Sequence, residues 1–296
     1  MSEARVAVCV PVYNKELFLA ETMQSILDQT FTDFELVVLD NASSDDSVAI
    51  ATKFSDPRVR VEQNATTVPP TVNFNRVVRL SSAPFVLVVM ADDILDPDLL
   101  ERQVDALESA PDLAMVAVRH HNIDEDGHVV ARDRCLRTPD LLGRRTRTEL
   151  LRRAVRHGGN PIGGPTAVLF RRTAFDAAAG FAEDEPFFST DISMWLRLTR
   201  HGDYLGLPET RCRFRLNSGS YSARMGRDAV RVQRRWVRDL RRTNRPDLRL
   251  SDLLYGDARA PLTSVRQQLI FAASAPPSPV QRLAAGVLGL RTPGRA

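Results

Sequence analysis

Hydrophobic positions in the first 110 residues form two kinds of run that alternate along the chain. RVAVCVPV (5–12), FELVVLD (34–40), VRVEQ (59–63) and PFVLVVM (84–90) are apolar, β-branched stretches of strand length. All but VRVEQ are apolar nearly throughout, the signature of strands buried on both faces. Between them lie helical patterns. Residues 16–29 place Phe18, Leu19, Thr22, Met23, Ile26 and Leu27 on one side. The turn NASSDDS follows the second strand, and Asp45 can cap a helix running to about Phe54. Pro69 and Pro70 open a helix over 71–80, and Asp96-Pro97 opens one to about Ser109. Strands alternating with helices predict a mostly parallel sheet covered by helices on both faces.

The second half is less regular. LAMVAVRHH (113–121) reads as a strand, with Asp126-Gly127 bending the chain into another. Residues 131–145 are polar and Arg-rich and read as a loop, 148–156 as a helix, and HGGNPIGGP (157–165) as a Gly-rich loop. TAVLFRR (166–172) is a strand and TAFDAAAGF a short helix ending at Gly180. STDISMWLRLTRHG (189–202) carries its own helix start and a Gly stop, and 204–216 is extended. Residues 227–242 are helical again. Pro246 and Pro261 break the tail, and the last twenty residues read as a weak apolar helix with Pro-rich flanks. There is no internal repeat. No run approaches the roughly 18 apolar residues of a membrane span, and the N-terminus lacks a signal-peptide pattern, so neither is expected.

Composition narrows the class. With 296 residues, 43% of them hydrophobic, the chain can bury a substantial core as one large domain or two small ones. Disordered, collagenous and disulfide-scaffold classes are excluded. Cys9, Cys135 and Cys212 are scattered, which suits a reducing cytoplasm and gives no zinc pattern. No G-x-x-x-x-G-K-[ST] and no G-x-G-x-x-G after the first strand occur, against P-loop and dinucleotide chemistry. The formal charge of +3 is unevenly spread: residues 224–296 hold fifteen Arg against five Asp, a net +10, which leaves about −7 for residues 1–223. The chemistry belongs to the acidic part, and the tail is a distinct basic segment.

In an open α/β sheet, ligands bind at the carboxyl ends of strands. The first strand ends in Pro11-Val12-Tyr13-Asn14, the second in Asp40-Asn41 and the fourth in Asp92-Asp93. A carboxylate there can bond a nucleobase or ribose, and a vicinal Asp pair can hold Mg²⁺ or Mn²⁺ together with phosphate oxygens. Each feature alone also has a plain structural reading: a solvated Asp-Asp turn, a turn-forming Asp40, an edge aromatic at Tyr13. Their placement at successive strand ends favours a site. Asp191 opens an amphipathic helix bearing Ile192, Trp195, Leu196 and Leu198. It is an N-cap in the plain reading and a general base in the functional one.

VAVCVPVYNKELFLAETMQSILDQTFTDFELVVLDNASSDDS, NFNRVV, ADDILDPDLLE, GGPTAVLFRR, TDISMWLRL and FRLNSGSYS occur in this order over about residues 5–222. Together they resemble a family 2 glycosyltransferase of the inverting GT-A type. The resemblance implies a GT-A α/β domain over 1–223: a nucleotide-sugar-binding half over 1–112 and an acceptor-side half over 113–223. An Arg-rich helical extension over 224–296 follows. It implies that Pro11, Tyr13, Asn14 and Asp40 cradle the nucleobase, with Asn75 lining the same pocket. Asp92 lies near the ribose, Asp93 binds a divalent metal (Mn²⁺ or Mg²⁺), and Asp191 is the catalytic base. The GGPTAV loop is the wall where donor sugar and acceptor meet.

The implied reaction moves a sugar from a nucleotide-diphosphate sugar to a hydroxyl of a sugar or lipid-linked acceptor, in cell-envelope or capsular polysaccharide assembly. UDP or dTDP is favoured because Asp40 can accept from a pyrimidine N3–H. Two positions depart from the family pattern: Met90 stands where many relatives have aspartate, and Asn217 where many have histidine, so the resemblance implies either a weaker, neutral ligand there or reliance on Arg215. Gln233–Trp236 resembles the processive Gln-x-x-Arg-Trp motif but has the wrong spacing. The basic tail packs on the domain, meets anionic lipid, or binds nucleic acid. Few interleaved aromatics argue against the last, and no nucleic acid is expected. A cytoplasmic protein with peripheral contact at the inner membrane face is the expected setting. The alternatives are a nucleotidyltransferase, for which PVYNKE lacks the Gly-rich loop, and a degenerate binding protein of the same fold.

Overall fold

The computed structural model describes residues 4–136, 139–185, 189–217 and 221–258. Strand β1 (Val6–Val12) is buried at every position. It pairs in parallel with β2 (Phe34–Asp40) from Val6↔Phe34 to Val12↔Asp40, and with β4 (Phe85–Val88) on its other side. β3 (Val59–Gln63) extends the sheet beyond β2, also in parallel. The chain therefore leaves β1 toward β2 on one side while β4 lies on the other. That arrangement opens a crevice at the carboxyl edge.

Helices cover the strands where the periodicity placed them. α1 (Leu19–Leu27) buries Leu19, Thr22, Met23 and Ile26. α2 (Ser47–Ala51) is short, and Asp45 caps it from outside by accepting from the Ser47 N–H and hydroxyl. α3 (Pro70–Arg79) starts on its proline, whose missing N–H costs nothing in a first turn. α4 (Leu99–Ser109) buries Leu99, Leu100, Val104 and Leu107.

Beyond β4 the sheet becomes mixed. β9 (Val168–Arg171) inserts antiparallel between β4 and β6 (Leu113–Ile123). β10 (Asp203–Arg215) runs parallel to β6 and pairs antiparallel with the two-residue β5 (Ile94–Leu95). The strand order is β3-β2-β1-β4-β9-β6-β10-β5. The expected α/β sheet is thus observed, all parallel in its first half and mixed beyond β4, where only the β6–β10 pairing is parallel among the described strands. The segment expected as a loop over 131–145 is more ordered than that. β7 (Val129–Arg134) forms a hairpin with β6, a 3-10 turn covers Pro139–Leu141, and β8 (Gly143–Arg145) pairs with β10. β8 is an edge strand of polar residues, tied down by Arg144 between Asp112 and Asp203. Edge pairing of this kind leaves no hydrophobic alternation to read.

α5 (Arg147–His157) is set by a reciprocal capping box between Thr146 and Glu149, and it ends at Gly158 with φ +72°. α6 (Arg172–Ala177) and α7 (Thr190–Leu198) follow. α8 (Tyr221–Thr243) begins just before residue 224, where the sequence placed the start of the basic extension. Its Trp236 and Val237 join the core, and Gln233 donates to the Gly158 carbonyl at the end of α5. Residues 250–258 are helical, with Asp252 buried against Arg156 and Arg152 of α5. Pro261 and the apolar pattern of the last twenty residues lie outside the described residues.

α3 reaches across to the turn after α6. Asn75 Oδ1 accepts from the Phe181 N–H at 2.8 Å, and Nδ2 donates to the Phe181 carbonyl and to Glu183. Gly180 sits at φ +73°, and a Cβ there would lie 2.5 Å from Asn75 Oδ1. Gly180→Ala combines left-handed strain with displacement of this buried amide, so urea unfolding should show a loss of about 2–4 kcal/mol. A loss under about 0.5 kcal/mol, the usual range of a surface change, would contradict this packing.

Candidate active site

The β1–α1 and β2–α2 loops are stapled together. Asn14, at φ +51°, donates its N–H to Ser43 Oγ and accepts from the Ser44 N–H, both at 2.9 Å. Lys15 N–H reaches Ser47 Oγ, Glu16 N–H reaches Asp45, and Asp46 N–H returns to Glu16. The result is one continuous wall at the carboxyl edge, with Tyr13 48% exposed on it and Pro11 buried beneath. Asp40 is buried beside Val12. It accepts from the Ser43 N–H and hydroxyl and from Gln63 Nε2 at 3.2 Å. A carboxylate offers about four acceptor positions, so these three donors leave one unused. Asn75 is different: its amide is engaged by Phe181 and Glu183.

The turn after β4 carries the two adjacent carboxylates. Asp92 accepts from Lys15 Nζ at 2.5 Å and Asn217 Nδ2 at 2.6 Å, both on Oδ2. Asn217 thus does touch the acidic pair, as a neutral donor. Asp93 Oδ2 accepts from the Thr166 hydroxyl at 2.5 Å, and Oδ1 from the Arg215 N–H at 3.0 Å. Burial, and then the charge of Asp92, push Asp93 up to about 8, against the pull of the Thr166 and Arg215 hydrogen bonds and of Lys15. Arg215 is buried. Its Nε donates to the Asp92 carbonyl, NH1 to the carbonyls of Asp124 and Glu125, and NH2 to Glu21 at 2.5 Å. It serves as a clamp on this turn.

Hard oxygen donors held in a buried acidic pair with a single ammonium counter-charge fit a divalent cation of the Mg²⁺ or Mn²⁺ type. A second acidic group, Asp124, Asp126 and His128, lies at the β6–β7 hairpin. There Asp124 Oδ1 already accepts the Asp126 and His128 N–H groups and serves the turn itself.

Asp191 lies in the first turn of α7, behind the N-cap Ser189. Among the described residues it has no hydrogen-bond or ion-pair partner. Burial alone raises it to about 7. Gly164 stands beside it: a Cβ there would come 4.0 Å from Asp191 Oδ2. The loop is fixed by Asn160, which accepts from the Ile162 and Gly163 N–H groups, and by Trp195 Nε1, which donates to the Gly163 carbonyl at 3.0 Å. His120 packs under Gly163, lowered to about 4 by burial and then by Arg134. Two residues past Gly164, Thr166 holds Asp93. One short segment therefore touches both the metal-type carboxylate and the lone acid. Thr166 and Lys15 were not singled out from the sequence. Nothing local marks Thr166, whereas Lys15 is one of only two lysines.

The sequence profile described as Glycosyl transferase family 2 matches residues 7–178, more than half the chain. The chain belongs to glycosyl transferase family 2. An uncharacterized protein of Mycobacterium tuberculosis, MT1568, is 33% identical over 202 residues, covering 65% of this chain and 61% of that protein. This chain therefore spans less than two thirds of that relative's length. The Escherichia coli enzyme WfgD is named UDP-Glc:alpha-D-GlcNAc-diphosphoundecaprenol beta-1,3-glucosyltransferase. It is 29% identical over 107 residues, 36% of this chain and 42% of that enzyme. The mannosyltransferase PcManGT of Pyrobaculum calidifontis, solved with GDP-Man and Mn²⁺, superposes with a TM-score of 0.61 at 20% identity, over 99% of this chain and 82% of that one. The fold is that of GT-A glycosyltransferases.

A family 2 chain with an acid as raised as Asp191 should reveal it in its stability. The folded-state value near 7 lies above the ordinary value of about 3.9, so Asp191 favours folding at low pH. That contribution is lost as pH rises through about 7. Asp191→Asn should therefore be more stable than wild type at pH 8, by on the order of 2 kcal/mol, with the gain vanishing toward pH 4. Paired denaturant curves at the two pH values check this; equal differences at both would show that Asp191 ionises normally.

Proposed function

We propose that this protein is an inverting glycosyltransferase that moves a sugar from a nucleotide-diphosphate sugar to a hydroxyl of a sugar or lipid-linked acceptor. The observation that carries the reading is the shared segment Gly164–Thr166, which stands beside Asp191 at one end and holds Asp93 at the other. That shared segment supports reading Asp191 as the proton acceptor and Asp93 as the metal-type carboxylate of one reaction centre.

The residues divide the work by their surroundings. Tyr13, Asn14 and Asp40 form the nucleobase end, where Asp40 keeps one acceptor position for a base N–H. That favours a uracil or thymine donor. Asp92, fixed by Lys15 and Asn217, faces the ribose and diphosphate end. Asp93 would hold a divalent cation, which supplies charge neutralisation on the departing diphosphate when bound. Asp191 takes the proton of the acceptor hydroxyl as that oxygen attacks the anomeric carbon. Its pKa, raised by burial to about 7, matches a base that works close to neutral pH. A single in-line displacement inverts the anomeric centre. Gly164 carries no side chain beside Asp191, which supports an acceptor approaching there. Three cysteines with no disulfide fit a reducing, cytoplasmic setting. The naming of WfgD as an enzyme acting on a diphosphoundecaprenol-linked sugar supports a role in cell-envelope polysaccharide assembly.

Calorimetric titration with UDP, dTDP, GDP and CDP, each with and without Mn²⁺, tests the donor site. One diphosphate should bind in a metal-dependent manner, and Asp93→Ala should abolish that binding. Failure of all four under every condition would overturn the donor pocket. Asp191→Asn should keep donor binding and lower transfer by about 10²–10⁴-fold. The wild-type rate should rise with pH through about 7 and then level off, because only the ionised carboxylate accepts a proton. A rate flat from pH 5 to 9 would remove Asp191 from the base role.

A further inference from the structure

We infer that the outward faces of α8 and of the helix over 250–258 form a docking surface for an anionic lipid bilayer. Both helices rest on α5. α8 does so through Gln233 on the Gly158 carbonyl, with Trp236 and Val237 in the core. The last helix does so through Asp252 between Arg152 and Arg156, and through Gly256, where a Cβ would lie 2.5 Å from the Val155 carbonyl. Arg241 of α8 joins the two helices by pairing with Asp257. Their opposite faces therefore turn away from the body together.

Those faces are cationic because of where the acids point. Asp247 pairs with Arg147 and Asp252 with Arg152 and Arg156, all on α5, while Asp257 closes the link between the helices. Outside remain Arg234, Arg235, Arg238, Arg242, Arg245 and Arg249, all exposed, with Asp239 at 3.7 Å from Arg242 as their one acidic neighbour among the ion pairs of the described residues. Within this field Leu250 and Leu254, one helical turn apart, are 65% and 62% exposed, and Tyr255 is 50% exposed with the Arg156 guanidinium over its ring. Exposed leucines and exposed arginines on the same pair of helices fit a headgroup layer. The leucines enter the acyl boundary while the guanidinium groups meet lipid phosphates. A nucleic-acid backbone would leave the leucines in water.

The surface is coupled to the site by one loop. α5 ends at Gly158, held by Gln233, and the chain then runs through the Gly-rich wall to Gly164 beside Asp191. An acceptor carried on a lipid would reach the wall from this side. That last link rests on the transferase reading above; the bilayer contact does not, and it is measured without turnover.

The test is flotation of the full chain with vesicles of phosphatidylcholine alone and of phosphatidylcholine with 30% phosphatidylglycerol, at 0.15 M and 1 M NaCl. Wild type should float with the anionic vesicles at low salt only. Arg234→Glu/Arg235→Glu/Arg238→Glu/Arg242→Glu should weaken binding by about tenfold or more, since each basic residue near such a surface contributes on the order of 1 kcal/mol. Leu250→Ser/Leu254→Ser should weaken it several-fold at 0.15 M NaCl. Both variants should keep wild-type nucleotide titration and unfolding curves, which separates loss of the surface from loss of the fold or donor site. Wild-type binding that both variants retain would place the contact elsewhere in the chain and overturn the inference. So would absence of vesicle binding, whether or not the protein self-associates through the two leucines.

Discussion

The site depends on one buried guanidinium. Arg215 ends β10 and is removed from water, a state that costs several kcal/mol unless the charge is paired and its donors are matched. Its partners come from three places: Glu21 on α1, the Asp92 carbonyl in the turn after β4, and the Asp124 and Glu125 carbonyls at the β6–β7 hairpin. Phe18 lies under the guanidinium at 4.7 Å from its ring centre. The backbone N–H of the same residue orients Asp93. One side chain thus fixes a helix, a turn and a hairpin relative to each other, and the acidic pair inherits that geometry.

Burial then differentiates the carboxylates. Asp93 and Asp191 are both raised, and for both the first cause is removal from water. Asp93 has two hydrogen-bond donors and a charged neighbour, an environment that supports the proposed cation site. Asp191 has burial alone, which suits a group that must gain and lose a proton. Asp92 is satisfied by Lys15 and Asn217 instead. Three acids in one cleft therefore have three different chemical dispositions, set by their surroundings rather than by their residue type.

The same logic runs through the basic C-terminal segment. Its Asp247 and Asp252 pair with arginines of α5 while most of its described arginines are exposed, so a modest overall charge of +3 resolves into an acidic cleft and a cationic flank. The Gly-rich loop lies between them. Asn160 and Trp195 hold it on the cleft side, and Gln233 holds its start on the flank side.

The sequence by itself determined the parallel half of the fold and the candidates at its carboxyl edge. FELVVLD and VRVEQ became β2 and β3 with unchanged bounds, because a β-branched run between turn residues is decided locally. Asp40, Asp92 and Asp93 could be found as residues that end such runs. The tertiary structure alone decided the rest. The antiparallel direction of β9 and the existence of β8 follow from which strands are available to pair with, which no local pattern encodes. The family resemblance implies a pocket role for Asn75, and only the fold shows that a partner 106 positions away, Phe181, engages its amide. Lys15 and Thr166 matter because the fold brings them to Asp92 and Asp93. The acidity of Asp191 comes from what surrounds it. Local preference acts over a few residues, whereas burial, pairing and charge environment are properties of neighbours that only the folded chain assembles.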